Sequence, residues 1–555
     1  MESHWKERLN YFITIDKYTV IAFIISLIFA VIFSVFSIMQ YYSLGTSAYD
    51  LGINAQDLWA FIHTGSFYTT LLNENLLVEH FTLFKFIQIP LYYLFPSPIT
   101  LMIFEDIFIA LAGCVIYLIS TEILKHKINS RKILFMVSLI FLISYEMSPY
   151  VQSLVSFPFH NMAFLPFFLL LAFYAFLTEK RALQLTSILF IISLHANFVY
   201  IVAILLIYEF FYLHTENGRK IKVWISRNSR TGGAVDFTIM LIFIVLLYGY
   251  LVIAGIIKLH IAGISSYSLI PSTGEVGTTV SSPLALISLL VIKPGEFASI
   301  IGTNHGIKIF YLNFMFQSLG YIPLFSPLSL IMDIPYVLYA IPSSYSSYYQ
   351  LGYQYSAMIV GALYISAIMG FYNIIRLYNY IKQKLNKNTL EKNHTYFGGI
   401  GEEKNIMRIS IIIIIAIILV MMPFGLLSPP QVEQSPHGSE MNDIFKEHLS
   451  GTPAYLSNLS RSIPQSSYIL TENTLMPYFS NHLHIYVTPW DLGYYQNISR
   501  FQYIIIQNNS FWANFGGNQS LAHIVTSSLE NKSFSVIEQY KSGNILVLEN
   551  VREEN

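Results

Sequence analysis

Residues Tyr18–Tyr41 read YTVIAFIISLIFAVIFSVFSIMQY, a stretch of 24 residues that contains no charged side chain. A membrane-spanning helix needs about 20 mostly apolar residues, so this stretch is long enough to cross a bilayer. It is too long for the apolar core of a signal peptide, and no cleavage site of small residues follows it. We therefore expect an uncleaved membrane anchor at this position.

The whole chain has the composition of a membrane protein. Of its 555 residues, 54% are hydrophobic and 11% are charged, whereas a soluble domain carries about 25% charged residues. The net charge of −1 provides no basic surface for a nucleic-acid backbone. The one cysteine, Cys114, excludes disulfide bridges and Cys-rich metal clusters. These numbers exclude a soluble enzyme, a disordered protein and a nucleic-acid-binding protein.

Further apolar runs predict an all-α polytopic membrane protein with about 11 transmembrane helices. After the first run, the candidate spans are Ile99–Ile123, Ile133–Met147, Asn161–Leu177, Leu183–Ser193, Phe198–Leu213, Val235–Ile257, Phe297–Ile322, Leu328–Ile341, Ser356–Leu377 and Ile409–Leu427. The fold class that follows is a bundle of membrane helices, joined to a small α/β domain at the C-terminus.

The distribution of Lys and Arg predicts the orientation, because cytoplasmic loops are enriched in both. With residues 1–17 in the cytoplasm, 21 of the 31 basic residues fall on that side. They form five groups: Lys6 to Lys17, Lys125 to Lys132, Lys180 with Arg181, Arg219 to Arg230, and Arg376 to Arg408. The spans together predict a transmembrane domain in the cell membrane at 18–428, with an outer loop at 43–80. Because the number of spans is odd, residues 429–555 are expected outside the cytoplasm.

Residues 429–555 have the pattern of a small extracytoplasmic α/β domain. β-branched and aromatic runs of strand length predict strands at Ser467–Leu470, His484–Thr488, Tyr503–Gln507, Phe534–Glu538 and Ile545–Leu548. Helices are expected between them at Thr474–Phe479 and Leu521–Leu529. The segment has no Gly-rich phosphate loop and no Ser-His-Asp signature, so a lid or docking module is the favoured interpretation.

The outer loop carries the most suggestive polar residues. Asp50, Asn54 and Asp57 are spaced i, i+4 and i+7, which places them on one face of a helix. One interpretation of Asp50 is a helix cap, since an Asp that opens a helix accepts bonds from free backbone N–H groups. The other is a general base, placed beside a lipid-linked donor whose head group lies at the same depth. Further along the loop, Glu79 and His80 precede a second expected interfacial helix, Phe81–Phe95.

Charged residues also occur inside the predicted spans. Glu105 and Asp106 lie in the second span, where a charge at the membrane centre costs about 2.5–3.5 kcal/mol. At least one of them should therefore face a wet cavity or bind a proton. A polar cavity that opens outward is also indicated by the other polar residues in or near the spans, which are Glu146, His160, His195 and Asp333.

Several short motifs then occur in a distinctive order. They are Tyr49-Asp50-Leu51-Gly52-Ile53 with Trp59, His80-Phe81, Phe159-His160-Asn161, Tyr321-Ile322-Pro323-Leu324, Tyr355-Ser356-Ala357, and Leu475-Met476-Pro477-Tyr478-Phe479-Ser480. With these motifs the chain resembles the prokaryotic multi-pass membrane family known as domain of unknown function 2079, which is related to the GT-C type lipid-dependent glycosyltransferases. The resemblance covers most of the chain.

The resemblance implies a GT-C-like glycosyltransferase with Asp50 as its catalytic base. The donor would be a sugar on a polyprenyl phosphate, and the acceptor an exported protein, lipid or glycan. The residues expected to bind substrate are Asp57, Glu79, His80, Glu105, Asp106, His160 and Tyr355. Candidate cations for the leaving phosphate are Lys85, Lys258, Lys293 and Lys308. Because the first loop contains no Asp-X-Asp or Glu-X-Asp, the sequence does not support a divalent metal, and the cofactor requirement stays open.

Two other functions fit the sequence. A transporter or flippase would use Glu105, Asp106 and Asp333 to bind a coupling proton or ion. Transporters often show inverted repeats and matching broken spans, and no such repeat is evident here. A non-catalytic envelope protein would use its outer domain to bind a partner and its spans only as an anchor.

Overall fold

The computed structural model describes residues 16–213, 232–262, 291–343, 346–385, 451–488, 498–507, 530, 533–540 and 545–551. Its helices are α1 Lys17–Tyr42, α2 Ile53–Thr64, α3 Leu76–His80, α4 Lys85–Leu94, α5 Pro98–Leu124, α6 Arg131–Glu146, α7 Pro149–Ser156, α8 Leu165–Leu177, α9 Arg181–Leu194, α10 Val199–Leu213, α11 Gly232–Ala262, α12 Pro294–Gly302, α13 His305–Gln317, α14 Ile334–Ala340, α15 Ala357–Leu385 and α16 Thr452–Ser462.

Five helices in the described part of the chain are long and apolar enough to cross a membrane. They are Lys17–Tyr42, Pro98–Leu124, Ala196–Leu213, Met240–Lys258 and Gln354–Ile381. A sixth span forms if α6 and α7 are one unit, bent by 43° where Pro149 begins α7. Asn161–Leu177 and Arg181–Leu194 are apolar helices of shorter length. A multi-pass membrane protein is confirmed, whereas the count of about 11 spans is not.

The predicted span Phe297–Ile322 is wrong as a single helix. The chain instead forms α12 and α13, which are separated at Thr303 and Asn304. Asn304 has a φ of +55°, a left-handed value that interrupts helical hydrogen bonding. The predicted span Leu328–Ile341 begins as a 3-10 turn at Ser329–Asp333 before α14. The last predicted span, Ile409–Leu427, lies outside the described residues.

The burial pattern of α1 shows how the bundle meets its surroundings. Ala22 and Phe33 are buried against the bundle, while Val31 on another face of the helix is 63% exposed. α1 packs on α5, which in turn packs on α6 and α8, and α15 packs on α8. A helix with one packed face and one exposed face of Val, Ile and Phe is stable when lipid covers the exposed face.

Gly370 of α15 lies against the backbone of a neighbouring 3-10 turn, Ile322–Phe325. A Cβ at Gly370 would overlap the carbonyl group of Ile322, which is backbone and cannot swing away. We expect Gly370→Ala to destabilise the protein by about 1–3 kcal/mol through overpacking, measured as a lower melting temperature in detergent. Gly302→Ala is the matched control, because no atom lies within 4 Å of a Cβ there. Equal melting temperatures for the two variants would contradict this packing argument.

The outer loop forms a short hairpin of β1 Tyr68–Thr69 and β2 Glu74–Asn75. The C-terminal strands are β3 Tyr468–Glu472, β4 His484–Thr488, β5 Tyr503–Gln507, β6 Phe534–Tyr540 and β7 Ile545–Asn550. These five strands form one sheet in the order β4-β3-β5-β7-β6. β3 pairs in parallel with β4 and β5, while β7 pairs antiparallel with β5 and β6. All five predicted strands are confirmed. The helix predicted at Thr474–Phe479 is wrong, since this segment contains only a 3-10 turn at Met476–Phe479. The helix predicted at Leu521–Leu529 lies outside the described residues.

Candidate active site around Asp50

Asp50 lies in an irregular turn, Ala48–Gly52, between α1 and α2; we call it the Asp50 turn. Its φ is +64° and its ψ is −78°, values close to those of a classical γ-turn, which is rare and strained for a residue with a side chain. Such strain persists only where surrounding contacts over-determine the backbone, and it is concentrated at functional sites. The Asp50 side chain therefore leaves the backbone in a direction that neither a helix nor a strand would give it.

This geometry corrects one sequence prediction. α2 begins at Ile53 and its N-cap position is Gly52, so Asp50 lies outside the helix and does not share a helical face with Asn54 and Asp57. Asp50 also precedes the N-cap position by two residues, which does not favour the helix-cap interpretation. The period of 3.6 residues holds from Ile53 onward and cannot be extended back through a positive φ.

The ring of His160 faces the Asp50 carboxylate. The distance from His160 Nε2 to Asp50 Oδ1 is 3.6 Å, and each side chain is 13% exposed. His160 Nδ1 accepts a hydrogen bond of 3.1 Å from the backbone N–H of Met162, so in the neutral ring the proton is on Nε2. The second function of the ring is therefore to cap the 3-10 turn Asn161–Phe164. His195 caps the turn that precedes α10 in the same way, through Asn197 N.

Glu105 of α5 fixes the position of His160 from the other side. Its Oε1 atom accepts a hydrogen bond of 2.9 Å from the backbone N–H of His160, and its side chain is buried. The neighbouring Asp106 is also buried, and its carboxyl group is hydrogen-bonded to Ser37 of α1. The two adjacent carboxyls thus point to different partners, and only Glu105 belongs to the surroundings of Asp50.

A chain of three amides supports the Asp50 turn from within the protein. Asn54 Nδ2 donates to the carbonyl oxygen of Asp50 at 2.7 Å, and Asn161 Nδ2 donates to Asn54 Oδ1 at 3.2 Å. Gln88 of α4 completes the chain by donating to Asn161 Oδ1 at 2.7 Å. The sequence motifs do not include Gln88, although a glutamine within the apolar run Phe81–Phe95 is a signal that could have identified it.

Asp57 forms a buried ion pair with Lys85. Asp57 is fully buried and Lys85 is 3% exposed. Burial raises the pKa of Asp57 to about 6, against the lowering effect of the Lys85 ammonium group. Lys85 also lies 6.0 Å from the centre of the Phe67 ring. In this arrangement the two charges neutralise each other. Substrate binding by Asp57 and stabilisation of the leaving phosphate by Lys85 stay predictions, and both would require this ion pair to break.

The remaining predicted site residues are spread over the fold. Glu79 and His80 end α3, and their side chains lie outside the described residues. Tyr355 lies in a 3-10 turn before α15, with its ring 4.4 Å from that of Tyr348. Phe157 lies between this region and the site, since its ring is 6.5 Å from His160 and 6.2 Å from Tyr353.

The three other lysines predicted to stabilise the leaving phosphate lie on α11, α12 and α13 or at their ends. Lys308 donates to the backbone carbonyls of Ile300 and Ile301, both at 3.3 Å. Lys258 is buried on α11, and Lys293 is exposed at the N-cap position of α12. Within the described ranges, no three His, Cys, Asp or Glu residues are grouped in a way that could hold a metal ion.

The sequence matches the model of the family described as predicted membrane protein (DUF2079) over residues 40–546. No curated protein matches it significantly. Among solved structures, that of ArnT from Cupriavidus metallidurans in the apo state matches with a TM-score of 0.44 and 11% sequence identity, over 94% of this chain and 98% of that chain. A similarity this remote has no bearing on function, whereas the family match spans most of the sequence. The chain therefore belongs to the family of predicted membrane proteins DUF2079.

Proposed function

We propose that the protein is a membrane glycosyltransferase that moves a sugar from a polyprenyl-phosphate donor to an exported acceptor, with Asp50 as the base. The observation that carries the proposal is the strained Asp50 turn, which holds a partly exposed carboxylate beside the Nε2–H of His160. A base must be positioned within reach of the proton that it removes. Strain stored at a carboxylate is the expected signature of such positioning.

The position of Asp50 along the chain suits a lipid-linked donor. Asp50 follows the end of α1 at Tyr42 by eight residues, so it lies near one end of a membrane span. We place that end on the outer side, with the N-terminus in the cytoplasm and the C-terminal sheet outside. At that depth the phosphate of a polyprenyl carrier and a water-soluble acceptor can meet.

The proposed chemistry is an inverting displacement at the anomeric carbon. The acceptor hydroxyl oxygen attacks this carbon, and its proton passes to the Asp50 carboxylate. The bond between the anomeric carbon and the phosphate oxygen breaks, and its electron pair leaves with polyprenyl phosphate. The Nε2–H of His160 lies close enough to orient the carboxylate before the proton moves, while Asn54 holds the backbone of the same residue.

The test is direct detection of the leaving group. The purified protein in lipid nanodiscs is incubated with a panel of polyprenyl-phosphate sugars and an extract of envelope acceptors, and polyprenyl phosphate is measured by mass spectrometry. We expect release from at least one donor, together with transfer of its sugar to an acceptor. Failure to consume any donor in the panel contradicts the proposal.

His160 provides a prediction that separates its two contacts. We expect His160→Asn to lower kcat roughly two- to tenfold, because it removes a polar contact to the Asp50 carboxylate that, at 3.6 Å, is longer than a hydrogen bond. Such a contact is worth about 0.5–1.5 kcal/mol. An Asn side chain still caps the turn at Met162, so stability should be retained. His160→Ala should lower kcat equally and also lower the melting temperature. If His160→Asn keeps wild-type kcat, the ring acts only as a cap.

A transporter is the second candidate, and one observation favours it. Asp106 Oδ2 is buried and has no hydrogen-bond partner within the described part of the chain, which suits a residue that takes up and releases a proton. In that case Asp106→Asn should abolish substrate flux while Asp50→Asn leaves it intact. Flux in sealed vesicles, compared with donor consumption in nanodiscs, distinguishes the two functions.

A further inference from the structure

The described residues from 451 to 551 carry β3–β7, and we call them the C-terminal sheet unit. This unit contacts the Asp50 turn directly, on the side that precedes Asp50. The backbone N–H of Ala48 donates to the carbonyl oxygen of Asn473 at 2.8 Å and to its side-chain Oδ1 at 2.9 Å. Asn473 immediately follows β3 and is 4% exposed. Both acceptors belong to one residue, so the position of Ala48 is fixed by the end of this strand.

A second contact holds the turn on the other side of Asp50. Met476 is fully buried at the start of the 3-10 turn Met476–Phe479, and it packs against Gly52. A Cβ at Gly52 would overlap Met476 Sδ, so the glycine permits this close approach. Asp50 therefore lies midway between two anchors, each two residues away and each supplied by the C-terminal sheet unit.

Three further contacts keep the sheet unit docked without touching the Asp50 turn. The Ile485 N–H donates to Thr70 Oγ1 of the outer loop at 3.0 Å. Tyr92 of α4 donates to Asn481 Oδ1 at 2.7 Å, and Tyr478 donates to the carbonyl oxygen of Tyr41 at 2.8 Å. Because these bonds are separate from the two anchors, docking of the unit and restraint of the turn can be tested independently.

We propose that the C-terminal sheet unit is a part of the catalytic centre, in which Asn473 and Met476 are positioning residues that hold Asp50 in its strained conformation. A residue other than glycine with a positive φ is strained, so we expect the turn to relax when its anchors are weakened. Relaxation moves the carboxylate, and a displacement of about 1 Å can cost a hundredfold in rate. The effect on rate rests on the proposed glycosyl transfer. The structural half of the inference, that Asn473 and Met476 restrain the Asp50 turn, does not.

The structural half is tested with a probe that needs no activity. Cys114 is the one cysteine of the chain, so Cys114→Ala gives a background without thiols. Tyr49 is half exposed beside Asp50, and Tyr49→Cys carries a trifluoromethyl label for fluorine NMR in nanodiscs. Asn473→Ala removes one of the two acceptors of the Ala48 N–H, and Met476→Ala removes the packing against Gly52. We therefore expect the double variant to shift or broaden this resonance. Met476→Leu, which keeps the packing, should leave it in place.

The kinetic half uses the nanodisc assay with unlabelled protein. Asn473→Ala combined with Met476→Ala should lower kcat about ten- to a hundredfold with little change in the KM for the donor, because neither side chain is expected to contact the donor. Met476→Leu should restore most of the activity relative to Met476→Ala. Tyr92→Phe is the matched control: it removes a docking bond away from the turn and should lower only the melting temperature.

The outcomes separate the two ideas. An unchanged fluorine resonance, or an unchanged kcat in the double variant, overturns the positioning role. An equal loss of kcat in Tyr92→Phe also overturns it, since general docking would then explain the effect. A wild-type protein that consumes no donor, but whose fluorine resonance responds as expected, contradicts the glycosyltransferase proposal and leaves the anchoring of the turn supported.

Discussion

Asp50→Asn is expected to lower kcat by roughly 10²–10⁴-fold, the usual contribution of a positioned general base. The amide cannot take the proton of the acceptor hydroxyl, although it has nearly the same shape as the carboxylate. Asn also tolerates a positive φ better than most residues, so the Asp50 turn should keep its conformation. The measurement is release of polyprenyl phosphate in nanodiscs, with melting temperature and the KM for the donor recorded alongside.

The matched control for this variant is Glu74→Gln, which makes the same carboxylate-to-amide change in the hairpin of the same outer loop. It should retain wild-type kcat. If Asp50→Asn keeps kcat within about threefold of the wild type, the proton is removed by another group and Asp50 is not the base. A loss of kcat that only matches a loss of folded protein would assign Asp50 a structural role in place of a chemical one.

Lys85→Met is expected to have the largest effect on stability, a loss of about 3–5 kcal/mol. The substitution keeps an unbranched side chain but leaves the buried Asp57 carboxylate without its countercharge. Burial already raises the pKa of Asp57 to about 6, so this carboxyl should then take up a proton near neutral pH. Protonation limits the cost but leaves the pair broken. The measurement is the melting temperature of the protein in detergent at pH 7.

Two further variants test this explanation. Lys85→Met combined with Asp57→Leu should recover much of the lost stability, because replacing both partners of a buried pair by apolar groups is often close to neutral. Lys125→Met should change stability little, since its ion pair with Glu122 is partly exposed. A melting temperature of Lys85→Met equal to that of Lys125→Met would show that the buried pair is not important for stability.

Much of the fold was predictable because its signals are local. The apolar run Tyr18–Tyr41 became α1 with one residue added at each end, and the strands His484–Thr488 and Tyr503–Gln507 have the predicted bounds. The span Phe297–Ile322 failed for a reason that hydropathy does not detect. The left-handed backbone of Asn304 interrupts a stretch that is apolar enough for a continuous helix.

The candidate site was predictable only as a set of residue types. Asp50 was identified from its position after the first span, but its relation to Asn54 and Asp57 was wrong because it assumed helical backbone. Gln88 and Asn161 are separated by 73 residues, yet they share one hydrogen bond of the chain that supports Asp50. No periodicity in the sequence relates two such positions.

The sequence by itself determined that this chain is a multi-pass membrane protein with a small terminal sheet and an acidic residue beyond its first span. Hydrophobic runs and strand alternation are short-range patterns, and the bilayer acts on them one segment at a time. Only the tertiary structure decided how Asp50 is presented. Its positive φ occurs together with contacts from Asn473 and Met476, and the bond from Ala48 to Asn473 joins residues 425 positions apart. A strained backbone requires partners on both sides, and folding alone brings those partners together.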